Sequence, residues 1–222
     1  MTKTFRVAVL AFSTLAAVAV TGLASDAQAC GMSVRLDPTP QRPTPVQEIA
    51  RAEKALETGS TVTASQAVLG TFPRIRNATA GQNPLETRAL RVFALSLVRS
   101  DGASDEKKLG VPVVGEWTAK SNLSWAVQAL REIDAKRPND PAVQADLGEA
   151  LSKTDSGQKE SLEILGKLAQ KDLMGSPQAY AALAKLRAQA GDEAGATAAT
   201  KRCEEMSKTP GVCKSKPVAA KA

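Results

Sequence analysis

Residues 126–151 read AVQALREIDAKRPNDPAVQADLGEAL and carry the clearest fold signal in the chain. Apolar residues recur there at intervals of three and four, at Ala126, Ala129, Leu130 and Ile133. That spacing is typical of one face of an α-helix. A second helical segment opens at Asp140-Pro141, where the aspartate can cap a backbone N–H and proline fits the first helical position. The stretch therefore predicts two helices joined by a tight turn.

The same start signal, a polar cap residue followed by proline, occurs four times. Its occurrences are Thr44-Pro45, Asn83-Pro84, Asp140-Pro141 and Ser176-Pro177, and the first two add Gln47 and Glu86 as capping-box residues. The prolines are spaced 39, 57 and 36 residues apart, and two of these intervals are close to the period of a helix-hairpin repeat. The longer interval predicts an insert at about residues 100–121, where glycines and prolines interrupt the helical pattern.

The composition favours closely packed helices over sheets. The chain has 222 residues, of which 43% are hydrophobic but only 3% are aromatic, and 39 are alanine. Strands are enriched in aromatic and β-branched residues, whereas alanine has the highest helix propensity. We therefore predict an all-α fold of about four stacked antiparallel helix hairpins with one long insert loop. A helical bundle without repeats is the alternative.

Several segments resemble the tetratricopeptide repeat, whose hallmark is W-x2-L-G-x2-Y followed by an alanine, a large apolar residue and a proline. The matching segments are Leu147-Gly148-x2-Leu151, Tyr180-x2-Leu183-Ala184, and Ala126 to Pro138 with Leu130 and Ile133 between them. The resemblance covers about residues 45–206 and is strongest over residues 122–206. It implies an α-solenoid in which the first helix of each hairpin lines a concave groove, and this groove binds a peptide or a partner's helix.

The N-terminus has the features of a signal peptide at residues 1–29. Lys3 and Arg6 precede an uncharged apolar run, and Ala27-Gln28-Ala29 forms a small-x-small cleavage site. The pattern predicts export to the periplasm, association with the outer membrane, or secretion; a retained N-terminal membrane anchor is the alternative to cleavage. Residues 30–44 are then a proline-rich linker, residues 45–206 the repeat domain, and residues 207–222 a C-terminal tail. Removal of the signal peptide lowers the net charge from +6 to +5, which does not call for nucleic acid as a partner.

The three cysteines lead to two predictions with alternatives. Cys30 would be the first residue of the processed chain, and its position resembles the acylated cysteine of bacterial lipoproteins; plain cleavage without lipid is the alternative. Cys203 and Cys213 could form a disulfide, because they flank a loop that contains Pro-Gly and an exported chain meets oxidising conditions. The alternative for Cys203 is a small buried apolar residue.

Basic residues beside the predicted core stripes are the candidate partner-binding site. Arg88, Arg91, Leu95 and Arg99 share one face of a first helix, and Lys153 and Lys185 occupy similar places later in the chain. Guanidinium groups bind carboxylates through paired hydrogen bonds, so this face could hold an acidic peptide segment. The alternative is a basic face that only contacts solvent.

Trp117, in the apolar part of the insert, is a second candidate contact residue. An exposed tryptophan on a loop could contact a partner directly. Alternatively, its side chain folds back and covers the seam between helices.

The sequence predicts neither an enzyme nor a cofactor or metal site. It contains no histidine, which excludes histidine-dependent triads and histidine-ligated metals. The predicted function is a non-catalytic scaffold or adaptor of the bacterial cell envelope that binds another protein or a peptide. Nucleic acid is not expected as a partner, and membrane contact is expected only through a lipid on Cys30. The alternative is a periplasmic or secreted enzyme accessory or carbohydrate-binding protein that uses the insert around Trp117.

Overall fold

The computed structural model describes residues 42–103, 117–209 and 211–214. Within these ranges the regular structure is entirely helical, which confirms the predicted all-α class. The α-helices there are α1 (Pro45–Glu57), α2 (Thr61–Thr71), α3 (Pro84–Arg99), α4 (Ala119–Lys136), α5 (Pro141–Leu151), α6 (Gln158–Gln170), α7 (Pro177–Gln189) and α8 (Glu193–Met206). The predicted signal peptide, the lipid site at Cys30, the linker up to residue 41, the middle of the insert and the tail from residue 215 lie outside the described residues.

The four predicted helix starts are confirmed. The four prolines are the first residues of α1, α3, α5 and α7, and the residue before each one caps its helix through its side chain. At Thr44 the capping box is complete: Gln47 N donates to Thr44 Oγ1 at 3.3 Å, and Thr44 N donates to Gln47 Oε1 at 2.8 Å. These caps satisfy backbone N–H groups that have no partner inside the helix.

Each helix packs against the next one along the chain, from α1 to α8. The helices that begin with proline also pack against one another in sequence, α1 with α3, α3 with α5 and α5 with α7. These four helices are therefore neighbours in space as well as partners of the helices that follow them.

The buried apolar residues form two clusters that share α5. The larger core runs through α1 to α5 and includes Phe93 and Leu130. The smaller core runs through α5 to α8 and includes Leu165 and Leu183. Helix α5 contributes Leu147 to the larger core and Ala145 to the smaller one, so it is the element that joins them.

Gly148 allows the close approach of α5 and α6. A Cβ atom on Gly148 would lie 2.6 Å from Leu165 Cδ2, which is too close for carbon atoms. In the same contact, Ser161 Oγ donates a hydrogen bond to the Gly148 carbonyl oxygen at 2.6 Å. A small residue is therefore required where the two helices meet.

The two ends of the insert are held together by one buried side chain. Asn122 Nδ2 donates to the carbonyl oxygens of Gly102, at 2.9 Å, and Trp117, at 3.4 Å. Gly102 has a φ of +76°, and a Cβ there would lie 2.3 Å from the Ala119 carbonyl oxygen. Helix α4 begins at Ala119, so the insert ends three residues earlier than the predicted residue 121.

Among the described residues, none of the helices combines the length and the apolar character needed to cross a membrane.

Candidate binding groove

A groove of about 470 Å³ runs along the helices that begin with proline. Its apolar lining comprises Leu56 of α1, Val92 and Leu95 of α3, Ala142 and Ala145 of α5, Pro177 of α7, and Met206 of α8. Charged residues in the lining are Glu53, Glu57, Arg91, Arg99, Asp146 and Lys208. The volume lies in the range of typical ligand pockets. We call this feature the groove below.

The predicted partner-binding residues divide between the groove and other places. Arg91, Leu95 and Arg99 line the groove. Arg88 pairs with Glu53, one of the residues that line it. The Lys153 ammonium pairs instead with Asp101 at 2.6 Å, and Lys185 is exposed on α7.

Each of the three predicted arginines is paired with a carboxylate on a neighbouring helix. Arg88 donates to Glu53 of α1, with Nε and Nη2 at 3.0 and 2.7 Å from the carboxylate oxygens. Arg91 Nε contacts Asp146 of α5.

Arg99 makes the most buried of these pairs. Its Nε and Nη2 donate to the two carboxylate oxygens of Glu149, at 2.9 and 3.0 Å, in a paired geometry. Only 13% of the Arg99 side chain and 4% of the Glu149 side chain are exposed. The arginines therefore form neither an unpaired anion site nor a basic face that contacts only solvent. They link α1, α3 and α5.

These ion pairs could have been predicted from the sequence, but not from the charges of a single helix. The carboxylates lie on α1 and α5, which are the sequence neighbours of α3 among the helices that begin with proline. Opposite charges on successive first helices of a repeat could have been matched once the repeat spacing was known. The prediction of a basic face considered only the residues of α3 and left out the carboxylates of its neighbouring helices.

Asp146 is the titratable group most changed by the groove. Burial raises the pKa of its carboxyl from 3.8 to about 6, the nearby Arg91 guanidinium opposes that rise, and Glu149 adds to it. Near neutral pH the carboxylate is charged and paired with Arg91. Below about pH 6 it becomes protonated, so Arg91 loses its counter-charge and the groove becomes more positive.

Trp117 packs against the helices. Its ring meets the Phe93 ring edge-on, with centroids 5.8 Å apart, and the Arg76 guanidinium carbon lies 4.7 Å from its centroid. The Trp125 ring also meets the Phe93 ring edge-on, with centroids 5.6 Å apart, and the Arg76 guanidinium carbon lies 5.2 Å from the Trp125 centroid. This packing agrees with the alternative prediction, in which the Trp117 side chain folds back over the helices. Trp117 is not among the residues that line the groove. It does not favour the function that depends on an exposed tryptophan loop.

Cys203 and Cys213 are joined by a disulfide in the structure, with their Cα atoms 5.7 Å apart. Cys203 is also fully buried, and its sulfur lies 3.1 Å from the Pro177 carbonyl oxygen. The two readings of Cys203, as a bonded cysteine and as a buried apolar residue, therefore both describe it.

The segment after α8 contributes a wall of the groove that sequence analysis placed in the tail. Ser207, Lys208 and Thr209 line the groove beside Met206. Their sequence has neither an apolar pattern nor a helix signal, so nothing local to it predicts a position on the domain. The Cys203–Cys213 pairing was the available clue, because it obliges the chain to turn back after α8.

Within the described ranges, no cluster of three or more cysteine or carboxylate side chains is arranged to hold a metal ion. Comparison with protein-family models, with curated proteins and with solved structures finds no match. Function therefore has to be argued from the groove and from the residues that line it.

Proposed function

We propose that this protein is a non-catalytic, peptide-binding scaffold of the bacterial cell envelope, built as an α-solenoid of four helix hairpins of the tetratricopeptide type. The observation that carries the proposal is the groove, which is lined by residues of all four helices that begin with a capped proline. Packing of alternate helices supports a stacked array, because each first helix contacts the next first helix. The resemblance in the repeat residues supports the tetratricopeptide type.

The lining of the groove favours a short segment of a partner protein as the ligand. Its apolar residues come from α1, α3, α5, α7 and α8 and can bury one or two apolar side chains of an extended or helical peptide. The charged residues in the lining include acids and bases in equal number, counted from Glu53, Glu57, Asp146, Arg91, Arg99 and Lys208. A strongly acidic ligand is therefore less well matched than one with a mainly apolar contact surface.

Arg91 provides the polar contact in this proposal. About a third of its side chain is exposed, whereas the carboxylate of its partner Asp146 is almost completely buried. A ligand can therefore approach the guanidinium from the groove without displacing Asp146. A carbonyl or carboxylate oxygen of the ligand would accept a hydrogen bond from it.

The cellular location in this proposal rests on residues outside the described ranges. The charged start, the apolar run and the small-x-small site of residues 1–29 support export. The disulfide fits an exported chain, because disulfides persist mainly in oxidising compartments.

Photo-crosslinking from the groove tests the proposed function. A photo-reactive phenylalanine analogue is placed at Ala142, which is exposed and lines the groove, in the full chain expressed in a bacterial envelope. The matched control places the same analogue at Glu163, which is exposed on α6 and lies outside the lining. We expect a discrete protein adduct from position 142 whose crosslinked residues fall within one short segment. Adducts of equal yield and identity from both positions would contradict the proposal.

A further inference from the structure

The chain after α8 crosses from the last hairpin towards the first. Thr209 Cγ2 lies 3.9 Å from the position that a Cβ on Gly59 would occupy, and Gly59 belongs to the turn between α1 and α2. Leu56, close to that turn, lines the groove together with Lys208 and Thr209. Residues 206–209 therefore line the groove between the last hairpin and the first.

Hydrogen bonds fix the shape of this segment. Ser207 N donates to the Cys203 carbonyl oxygen at 2.9 Å, which continues the end of α8. The Ser207 hydroxyl accepts from Thr209 N at 3.2 Å and donates to the Thr209 carbonyl oxygen at 2.9 Å. These bonds form a tight turn that holds Lys208 at the groove.

The disulfide joins the two cysteines that flank this segment, Cys203 before it and Cys213 after it. Cys203 is anchored inside the smaller core, and Val212 and Cys213 pack against that core as partly buried residues. Without the bond, Met206 would still pack against the smaller core, but residues 207–209 would have few apolar contacts to keep them near Gly59, since Lys208 is exposed and Ser207 and Thr209 are polar.

We propose that segment 206–209 is a disulfide-held cover of the groove, and that reduction of Cys203–Cys213 by a dithiol opens it. The biological meaning of this cover rests on the proposed peptide-binding function. Its existence is a property of the chain alone and can be measured without a partner.

The chemistry of opening is thiol–disulfide exchange. A thiolate of the dithiol attacks the sulfur of Cys213, the more exposed of the two residues, and Cys203 leaves as a thiolate that takes up a proton. The second thiol of the reductant loses its proton and displaces Cys213 from the mixed disulfide, and Cys213 takes up a proton in turn. The dithiol ends as a disulfide, and two electrons and two protons pass to the protein.

Thiol labelling of the groove floor tests the cover. In a Cys30→Ser background, Val92→Cys places a thiol in the groove, where Val92 is 3% exposed. Its reaction with a maleimide dye is compared between the disulfide-bonded chain and the Cys203→Ala/Cys213→Ala chain. A cover predicts labelling that is at least about tenfold faster without the disulfide, since local opening then no longer limits access.

Two controls separate uncovering from unfolding. Ala64→Cys places a thiol at a fully buried site of α2 outside the groove, and we expect it to stay unreactive in both backgrounds. Ser207→Gly keeps the disulfide but removes the hydroxyl that closes the turn, and we expect intermediate labelling at position 92. Treatment of the disulfide-bonded Val92→Cys chain with dithiothreitol, followed by its removal before labelling, should reproduce the fast rate at position 92, which is read from the labelled peptide because the freed Cys203 and Cys213 also react.

Equal labelling of position 92 with and without the disulfide would overturn the cover. Parallel increases at positions 92 and 64 would also overturn it, because they would mean loosening of the whole domain. Neither result bears on crosslinking from Ala142, which tests the peptide-binding function separately.

Discussion

The two cores of the described domain are held together differently. The larger core joins 25 buried apolar residues around Phe93, against whose ring Trp117 and Trp125 pack edge-on. The smaller core joins ten, and it contains the Cys203–Cys213 disulfide.

The two cores differ in what stabilises them, although both are built from the same kind of packed helices. Burial of apolar area stabilises a core in proportion to that area, so the smaller core gains less from packing than the larger one. A disulfide adds stability in another way, mainly by restricting the unfolded chain. We infer that the last two helices depend on this bond, whereas the first five depend on side-chain packing.

Loss of the Phe93 ring should have the largest effect. Phe93→Ala removes a fully buried ring and two edge-on aromatic contacts, so the free energy of unfolding should fall by about 3–5 kcal/mol. The matched control is Phe72→Ala, because Phe72 is only partly buried at the edge of the same core. Urea unfolding followed by circular dichroism measures both, and an equal loss at the two positions would contradict the central role of Phe93.

Loss of the disulfide should destabilise the smaller core first. Cys203→Ala/Cys213→Ala should lower the stability of α7 and α8 by about 2–4 kcal/mol, as expected for a short closed loop. Hydrogen exchange followed by mass spectrometry should show faster exchange in α7 and α8 and little change in α3. The inference fails if amides of α3 lose protection to the same extent.

Bulk at Gly148 tests the helix that joins the cores. Gly148→Leu should cost about 1–3 kcal/mol, since its side chain would collide with Leu165 across the contact of α5 and α6. Gly166→Leu is the matched control, because nothing lies within 4 Å of a Cβ at that helical position. Melting curves that coincide for Gly148→Leu and the parent chain would show that α5 and α6 do not meet in this way.

The buried Asp146 should give the smallest effect, and it depends on pH. Its folded pKa of about 6 lies above the value of the unfolded chain, so the folded state binds more protons between about pH 4 and 6. Stability from this group should therefore fall as pH rises, by about 1 kcal/mol between pH 5 and pH 7. Asp146→Asn should remove that slope in urea unfolding measured across this range, and an unchanged slope would assign it to another group.

Local patterns were enough to predict the helices. Proline after a polar residue marked the starts of α1, α3, α5 and α7, because capping and the fixed φ of proline act within one turn of the chain. Apolar spacing marked the faces that are buried, including Leu90 and Leu97 of α3. The start of α4 was placed late because Thr118 caps it without a following proline.

The groove was only partly predictable because its properties depend on contacts between distant segments. Arg91, Leu95 and Arg99 were correctly placed on one helical face, and all three line the groove. The net charge of this face could not be predicted from α3 alone, because the carboxylates that pair with Arg91 and Arg99 come from α5. The wall formed by residues 207–209 follows from the disulfide and the path of the chain.

Binding to the groove can be tested most directly with two tryptophan substitutions at exposed helical positions. Ala142→Trp fills the groove, and Glu163→Trp adds the same ring to α6 away from it. The dissociation constant of the segment captured by crosslinking from Ala142 is measured for the parent and both variants. The account predicts binding at least about tenfold weaker for Ala142→Trp and unchanged for Glu163→Trp. Equal affinity of all three chains would contradict the claim that the groove is the binding site.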